Sequence, residues 1–233
     1  YCPEEKLLFS NDAFGQHLAS SERFDDEFPF HIMMHEAAKY YANIVLPYGR
    51  QVQKALEIVG GLDIDTICPS HGLIIRKYIP EILEKYKEWS ANKIDKKALI
   101  IYDTMWKSTE KIAHSIQASF EATNYQTRLI NLQYTHISDI MTEIFTAKYI
   151  CIGSPTLNNN ILPTVASFLT YLKGLAPKGR VGLAFGSYGW GGQSVGTIEK
   201  ELESCGFEML DQIKLQYVPD QETLNEKEKQ LID

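Results

Sequence analysis

Paired cysteines are missing from this chain. Its four cysteines, Cys2, Cys68, Cys151 and Cys205, lie far apart and form no Cys-x-x-Cys unit. That spacing argues against a zinc ribbon or a disulfide framework, and it rules out an appended rubredoxin-like iron site. No apolar run reaches the roughly 18 residues of a membrane span, and no signal peptide is expected. The cytoplasm, without a membrane partner, is the expected location. Basic charge is also scarce: 23 Lys and Arg stand against 30 Asp and Glu, for a net charge of -7. Nucleic acid and anionic membrane surfaces reward the opposite balance. The sequence has no Gly-x-x-x-x-Gly-Lys and no Gly-x-Gly-x-x-Gly, which disfavours nucleoside-triphosphate and dinucleotide sites. An initiator methionine is absent as well. The chain opens Tyr1-Cys2-Pro3, and is expected to be the middle of something longer.

What is present is a globular composition, 44% apolar over 233 residues, in two regions. The polar stretch Ser90-Ala91-Asn92-Lys93-Ile94-Asp95-Lys96-Lys97 has no apolar period and reads as a linker. It sets expected domains at residues 1–93 and 94–233. In the second region, strand-like runs at 98–102, 127–132, 149–153, 181–185 and 214–218 alternate with helical patterns. The helical patterns fall at 109–120, 137–145, 164–172, 195–204 and 221–232. This alternation predicts an α/β fold, a five-stranded parallel sheet with helices on both faces. Right-handed crossovers favour the doubly wound order 2-1-3-4-5.

Three of these strands end in loops of related chemistry. The first loop is Tyr102-Asp103-Thr104-Met105-Trp106-Lys107-Ser108-Thr109. The second is Ser154-Pro155-Thr156-Leu157-Asn158-Asn159-Asn160, and the third is Gly186-Ser187-Tyr188-Gly189-Trp190-Gly191-Gly192. Each alone is an ordinary turn: an N-cap, a Pro/Asn turn, a glycine-rich connection with Trp190 packed on the sheet. Together, on strands of one parallel sheet, they converge on one edge, where such sheets hold ligands. The joint reading is a flavin-mononucleotide (FMN) site. A dianionic phosphate calls for hydroxyls, backbone N–H groups and a helix N-terminus. Thr104, Ser108 and Thr109 supply the hydroxyls, Lys107 adds charge, and Met105 and Trp106 complete the turn. Ser154 and Pro155 open the second loop, and backbone groups of Thr156, Leu157, Asn158 and Asn159 suit the polar edge of the flavin ring. Ser187 and Gly189 flank Tyr188, and Tyr188 and Trp190 suit its flat face.

The first region reads as a strand at 6–10, helices at 36–47, 50–59 and 80–89, and a short strand at 65–68. With so few strands it is expected to be part of a larger sheet. Of its histidines, His31 and His35 stand four apart beside Glu36, but Pro29-Phe30 just ahead puts the expected helix start later, at residue 36. His71, in Pro69-Ser70-His71-Gly72, and Asp12, in Asn11-Asp12-Ala13, both follow strands. An imidazole and a carboxylate on neighbouring strand ends suit iron, manganese or zinc, although two ligands do not make a site.

Taken together, Leu8-Phe9-Ser10-Asn11-Asp12-Ala13-Phe14-Gly15-Gln16-His17, Pro69-Ser70-His71-Gly72, Tyr102-Asp103-Thr104-Met105-Trp106, Gly153-Ser154-Pro155-Thr156-Leu157-Asn158-Asn159 and Gly186-Ser187-Tyr188-Gly189-Trp190 resemble the flavodiiron proteins (A-type flavoproteins). The resemblance spans essentially the whole chain. It implies the C-terminal part of a metallo-β-lactamase-like αββα domain with a non-haem diiron centre, followed by a flavodoxin-like FMN domain. By the same resemblance Asp12 is the iron-bridging carboxylate, His71 the last histidine ligand, and His17 not a ligand. The remaining ligands, a His-x-Glu-x-Asp-His segment and one further histidine, belong upstream of Asp12 and do not occur in this sequence. The implied activity is reduction of dioxygen to water, or of nitric oxide to nitrous oxide, with electrons from rubredoxin or a similar donor. A head-to-tail homodimer is implied. The alternative is an FMN electron carrier attached to an incomplete, non-catalytic metal domain.

Overall fold

The computed structural model describes residues 1–232, with side chains through residue 227. The chain divides into two compact units, Tyr1–Lys93 and Ile94–Asp233. Among the described residues no helix is long and apolar enough to cross a membrane.

The first unit holds two parallel strands, β1 (Leu7–Asn11) and β2 (Thr66–Pro69). Its helices are α1 (Phe30–Tyr40), α2 (Gly49–Val59) and α3 (Ile79–Ser90), with a π-helical turn, Tyr41–Val45, continuing α1. The expected start of α1 at residue 36 is corrected to Phe30. Pro29 does not break the helix but stands just before it, where a missing N–H costs nothing. Tyr86 anchors the core. Its ring packs on Phe14, Tyr41 and Trp89 at centroid distances of 4.6, 5.1 and 5.3 Å, and its hydroxyl accepts the Phe14 N–H at 2.7 Å. Asp25 is fully buried, and its carboxylate takes the successive N–H groups of Arg76, Lys77 and Tyr78 at 3.0, 3.1 and 2.8 Å. That carboxylate fixes the entry to α3.

The second unit alternates throughout: β3 (Asp95–Tyr102), α4 (Ser108–Ala122), β4 (Gln126–Asn131), α5 (Ile137–Ile144), β5 (Ala147–Gly153), α6 (Pro163–Leu175), β6 (Val181–Tyr188) and α7 (Gln193–Ser204). It ends with β7 (Glu208–Met209), β8 (Ile213–Gln216) and α8 (Gln221–Ile232). All pairings are parallel, in the order β4-β3-β5-β6-β7. β8 also lies on β6, on the side away from β5, because Phe185 pairs with both Gly153 and Ile213. The fifth strand of the 2-1-3-4-5 order is therefore two pieces. The expected strand at 214–218 starts one residue earlier and stops at Gln216, and sequence reading missed β7, which is too short to show a period.

β3 and β5 are covered on both faces and so read as continuous apolar runs, not as alternations. On one face Ala98, Ile100, Cys151, Leu183 and Phe185 pack with Ile112, Ile116 and Phe120 of α4 and Leu224 of α8. The four cysteines are free thiols. Arg180, 1% exposed, closes the opposite end of the sheet from the loops. Its guanidinium donates to the carbonyls of Ile144, Phe145 and Lys178 at 3.4, 2.6 and 2.5 Å, ending α5 against the start of β6. Burial pulls its pKa down to about 10. Arg180→Met strands these carbonyls, and is expected to lower the unfolding free energy by about 2–4 kcal/mol. Urea denaturation followed by circular dichroism measures it; an unchanged midpoint rejects the clamp.

Candidate functional site

The loops leaving β3, β5 and β6 open onto one cleft of about 240 Å³. It is lined by Thr104, Met105, Trp106 and Ser108 of the first loop, Pro155 and Thr156 of the second, and Ser187, Tyr188 and Gly189 of the third. Tyr217 and Val218, just past β8, complete the lining. Neither carried a motif in the sequence.

The first loop is built around Asp103, which is 3% exposed. Its Oδ1 accepts the Thr104 N–H and the Gln133 side-chain amide, both at 2.6 Å, and its Oδ2 accepts the Thr164 hydroxyl. One carboxylate thus ties the β3–α4 loop to the β4–α5 loop and to the first turn of α6. Lys107, φ +65, turns the chain into α4 without a side-chain cap. The N-terminal N–H groups of α4 are therefore left to an acceptor from elsewhere. The Thr104 hydroxyl is buried and has no hydrogen-bond partner among the described residues. A buried hydroxyl without a partner is uncommon and calls for an explanation.

Of the expected residues that do not line the cleft, Thr109, Ser154 and the turn at 157–159 hold its walls, whereas Lys107 and Trp190 do not. Thr109, fully buried, shares a hydroxyl hydrogen bond of 3.0 Å with Ser187. The Ser154 hydroxyl donates to the Pro155 carbonyl at 2.8 Å and accepts the Leu162 N–H at 3.0 Å. Leu157 and Asn160 exchange backbone bonds of 2.9 and 2.8 Å around Asn158 and Asn159, φ +49 and +59. Two successive left-handed residues make the tight turn that asparagine tolerates. Trp190 is fully exposed. The loops meet because of Gly186, where an added Cβ would stand 2.1 Å from the Ser154 carbonyl oxygen.

In the first unit, Asp12 and His71 come together beyond the ends of β1 and β2, with Oδ1 to Nε2 at 3.6 Å. Two atoms bound to one metal at about 2.1 Å each lie within about 4.2 Å of one another, so the pair fits a shared ion. Tyr40 hydrogen-bonds to Asp12, and its pKa is pushed up to about 12, first by burial and then by the Asp12 charge. The His17 ring lies 5.6 Å from that of His71. Gln16, missed in the sequence, is fully buried and latches the two loops: its Oε1 accepts the Leu73 N–H at 2.8 Å and its Nε2 donates to the Phe14 carbonyl at 2.6 Å. Gly72, φ +87, is required there, since a Cβ would meet Gln16 Oε1 at 2.3 Å. Among the described residues no group of three or more His, Cys, Asp or Glu is placed to hold a metal. His31 and His35 both sit on α1, and both are exposed.

Residues 100–230 match the flavodoxin family. The chain is 45% identical over 228 residues to a nitric oxide reductase of Moorella thermoacetica, covering 96% of this chain and 57% of that protein. Among solved structures, the rubredoxin oxygen:oxidoreductase of Desulfovibrio gigas superposes with a TM-score of 0.93 at 42% identity, covering 97% of this chain and 58% of that one. The flavodiiron protein of Giardia intestinalis superposes with a TM-score of 0.94 at 33% identity, covering 100% and 58%. The chain thus spans little more than half the length of these relatives.

The close approach at Gly186 gives a test of the cleft's construction. Gly186→Ala forces the Ser154 carbonyl away and is expected to lower the melting temperature of the protein by about 5 °C or more. Thermal melts by circular dichroism decide it, and an unshifted melt means that the two loops are not in contact.

Proposed function

The chain belongs to the flavodoxin family and, by its relatives, to the flavodiiron proteins, and from that premise we propose that it carries FMN in the cleft of its second unit and serves a diiron centre to which Asp12 and His71 contribute. The reaction is reduction of dioxygen to water or of nitric oxide to nitrous oxide. The electron donor is a rubredoxin or similar small protein, the working form a head-to-tail homodimer, and the compartment the cytoplasm, which suits four free thiols.

The observation that carries the FMN reading is the Thr104 hydroxyl, buried and unpartnered at a cleft beside the uncapped N-terminus of α4. A phosphate oxygen supplies the missing acceptor and a charge that the helix end favours. Thr104 and Ser108 hold the phosphate end, with Lys107 and the α4 N–H groups adding positive potential. Pro155 and Thr156 line the side of the ring, and Tyr188 offers it a flat face. Bound FMN supplies one- and two-electron chemistry; the chain's part is to seat it, exclude water and set the hydrogen bonds that tune it. At the metal pair, Tyr40 holds the Asp12 carboxylate in place and Gln16 fixes the spacing of the two loops.

A second reading, an electron carrier whose first unit is not catalytic, is favoured by the count of only two gathered ligands among the described residues. Metal analysis of the purified protein separates the two. Iron near stoichiometric with flavin supports the reductase, and flavin without iron supports the carrier.

Thr104→Val removes the orphaned hydroxyl while keeping its shape. Without flavin the protein is expected to melt at the same temperature or higher, because no hydrogen bond is lost. Its dissociation constant for FMN is expected to rise about tenfold, read by quenching of flavin fluorescence. Unchanged affinity removes Thr104 from the phosphate site.

A further inference from the structure

We propose that Tyr217 is a further wall of the flavin site, its ring packed against the isoalloxazine; the inference rests on the FMN reading above. Tyr217 lies beyond all three motif loops, past the end of the fifth strand. It nevertheless lines the same cleft as Thr104 and Tyr188.

The backbone there is unusual. Tyr217 has φ +58, the left-handed region, which a bulky residue enters only when something compensates. Asparagine, which tolerates this region, occupies five of the ten non-glycine positions with positive φ among the described residues. The other aromatic residue among them, Phe14, is 3% exposed and packs on Tyr86. Tyr217 is 62% exposed, so its own fold gives the ring little in return. Strain without a folding reward points toward a ligand.

The conformation is also held in place. The Tyr217 N–H donates to the Tyr188 carbonyl at 2.7 Å, and the Gln216 side chain donates to the Gly189 carbonyl at 2.8 Å. These bonds latch the end of the fifth strand to the third loop. They bring the Tyr217 ring over Gly189, where a Cβ would lie 3.9 Å from Cε1. A planar heteroaromatic ligand entering beside Tyr188 therefore meets a second phenol ring, and aromatic contact of this kind favours binding beyond the area it buries.

The test compares Tyr217→Phe, Tyr217→Ala and Tyr217→Gly, titrated with FMN. Phe is expected to keep wild-type affinity. Ala and Gly are expected to raise the dissociation constant about five- to tenfold and to leave bound flavin more fluorescent, since a stacked phenol quenches it by electron transfer. Gly, which accepts φ +58 freely, is expected to raise the melting temperature of the flavin-free protein. Weaker binding by a more stable variant is something a purely structural role would not produce. If Ala and Gly both bind FMN with wild-type affinity and quenching, Tyr217 is not a flavin contact. If wild-type protein itself takes up no FMN, the broader reading fails first, and the inference with it.

Discussion

The cleft depends on the level at which three parallel strands end. Tyr102 pairs with Gly153, Gly153 with Phe185, and Phe185 with Ile213, so β3 and β5 stop in step while β6, paired with β8, runs three residues further to Tyr188, and all three loops rise from one edge of the sheet. Parallel pairing imposes that arrangement, because every crossover helix returns the chain to the opposite edge. The apolar runs of β3 and β5 pin the register from both faces, since a slip would exchange buried contacts for mismatched ones. Glycine then permits the approach. Gly153 gives the Phe185 ring space that a Cβ would fill at 2.2 Å, and Gly186 does the same for the Ser154 carbonyl. Register sets the height of the loops, and these two residues set their separation.

Buried carboxylates finish what register begins. Asp103 and Asp25 are both almost fully buried, and each takes hydrogen bonds from other segments of chain, Asp103 also from the adjoining Thr104 N–H. Charge-assisted bonds of this sort are stronger than neutral ones, and a buried charge is tolerable when all its acceptor sites are used. In the cleft this has a chemical consequence. Asp103 already takes the Thr104 N–H, so the hydroxyl of Thr104 is what remains for a ligand. An anion in the cleft meets a donor that no other group among the described residues uses.

The repeating parts of the second unit were legible because burial on one or two faces leaves a period in the sequence. The three loops were legible because hydroxyls, amides and glycine cluster at strand ends. What escaped was set by contacts between distant residues. The short β7 has no period to read, and the break before β8 follows from pairing with β6. Tyr217 looks like any surface aromatic until its φ and its place beside Tyr188 are known. Gln16 and Asp103 act through partners 57 and 30 residues away, and no local pattern announces that. At Pro29 the local pattern points the wrong way, since this proline opens α1 instead of delaying it.

The two candidate centres differ in what holds them. An exposed carboxylate and imidazole 3.6 Å apart gain little from each other in water, about 1 kcal/mol or less, so attraction cannot keep Asp12 beside His71. Main-chain latches do that. The Gln16 N–H donates to the His71 carbonyl at 3.2 Å, its side chain takes the Leu73 N–H, and Gly72 accepts the left-handed turn between them. The two loops are thereby held without an ion, which would spare metal binding at this pair the entropy of ordering them. The flavin cleft is prepared in the same way, through Asp103 and the Thr109–Ser187 bond. In both places the loops are held by residues outside the candidate ligand set, Gln16 in the first unit and Asp103 in the second.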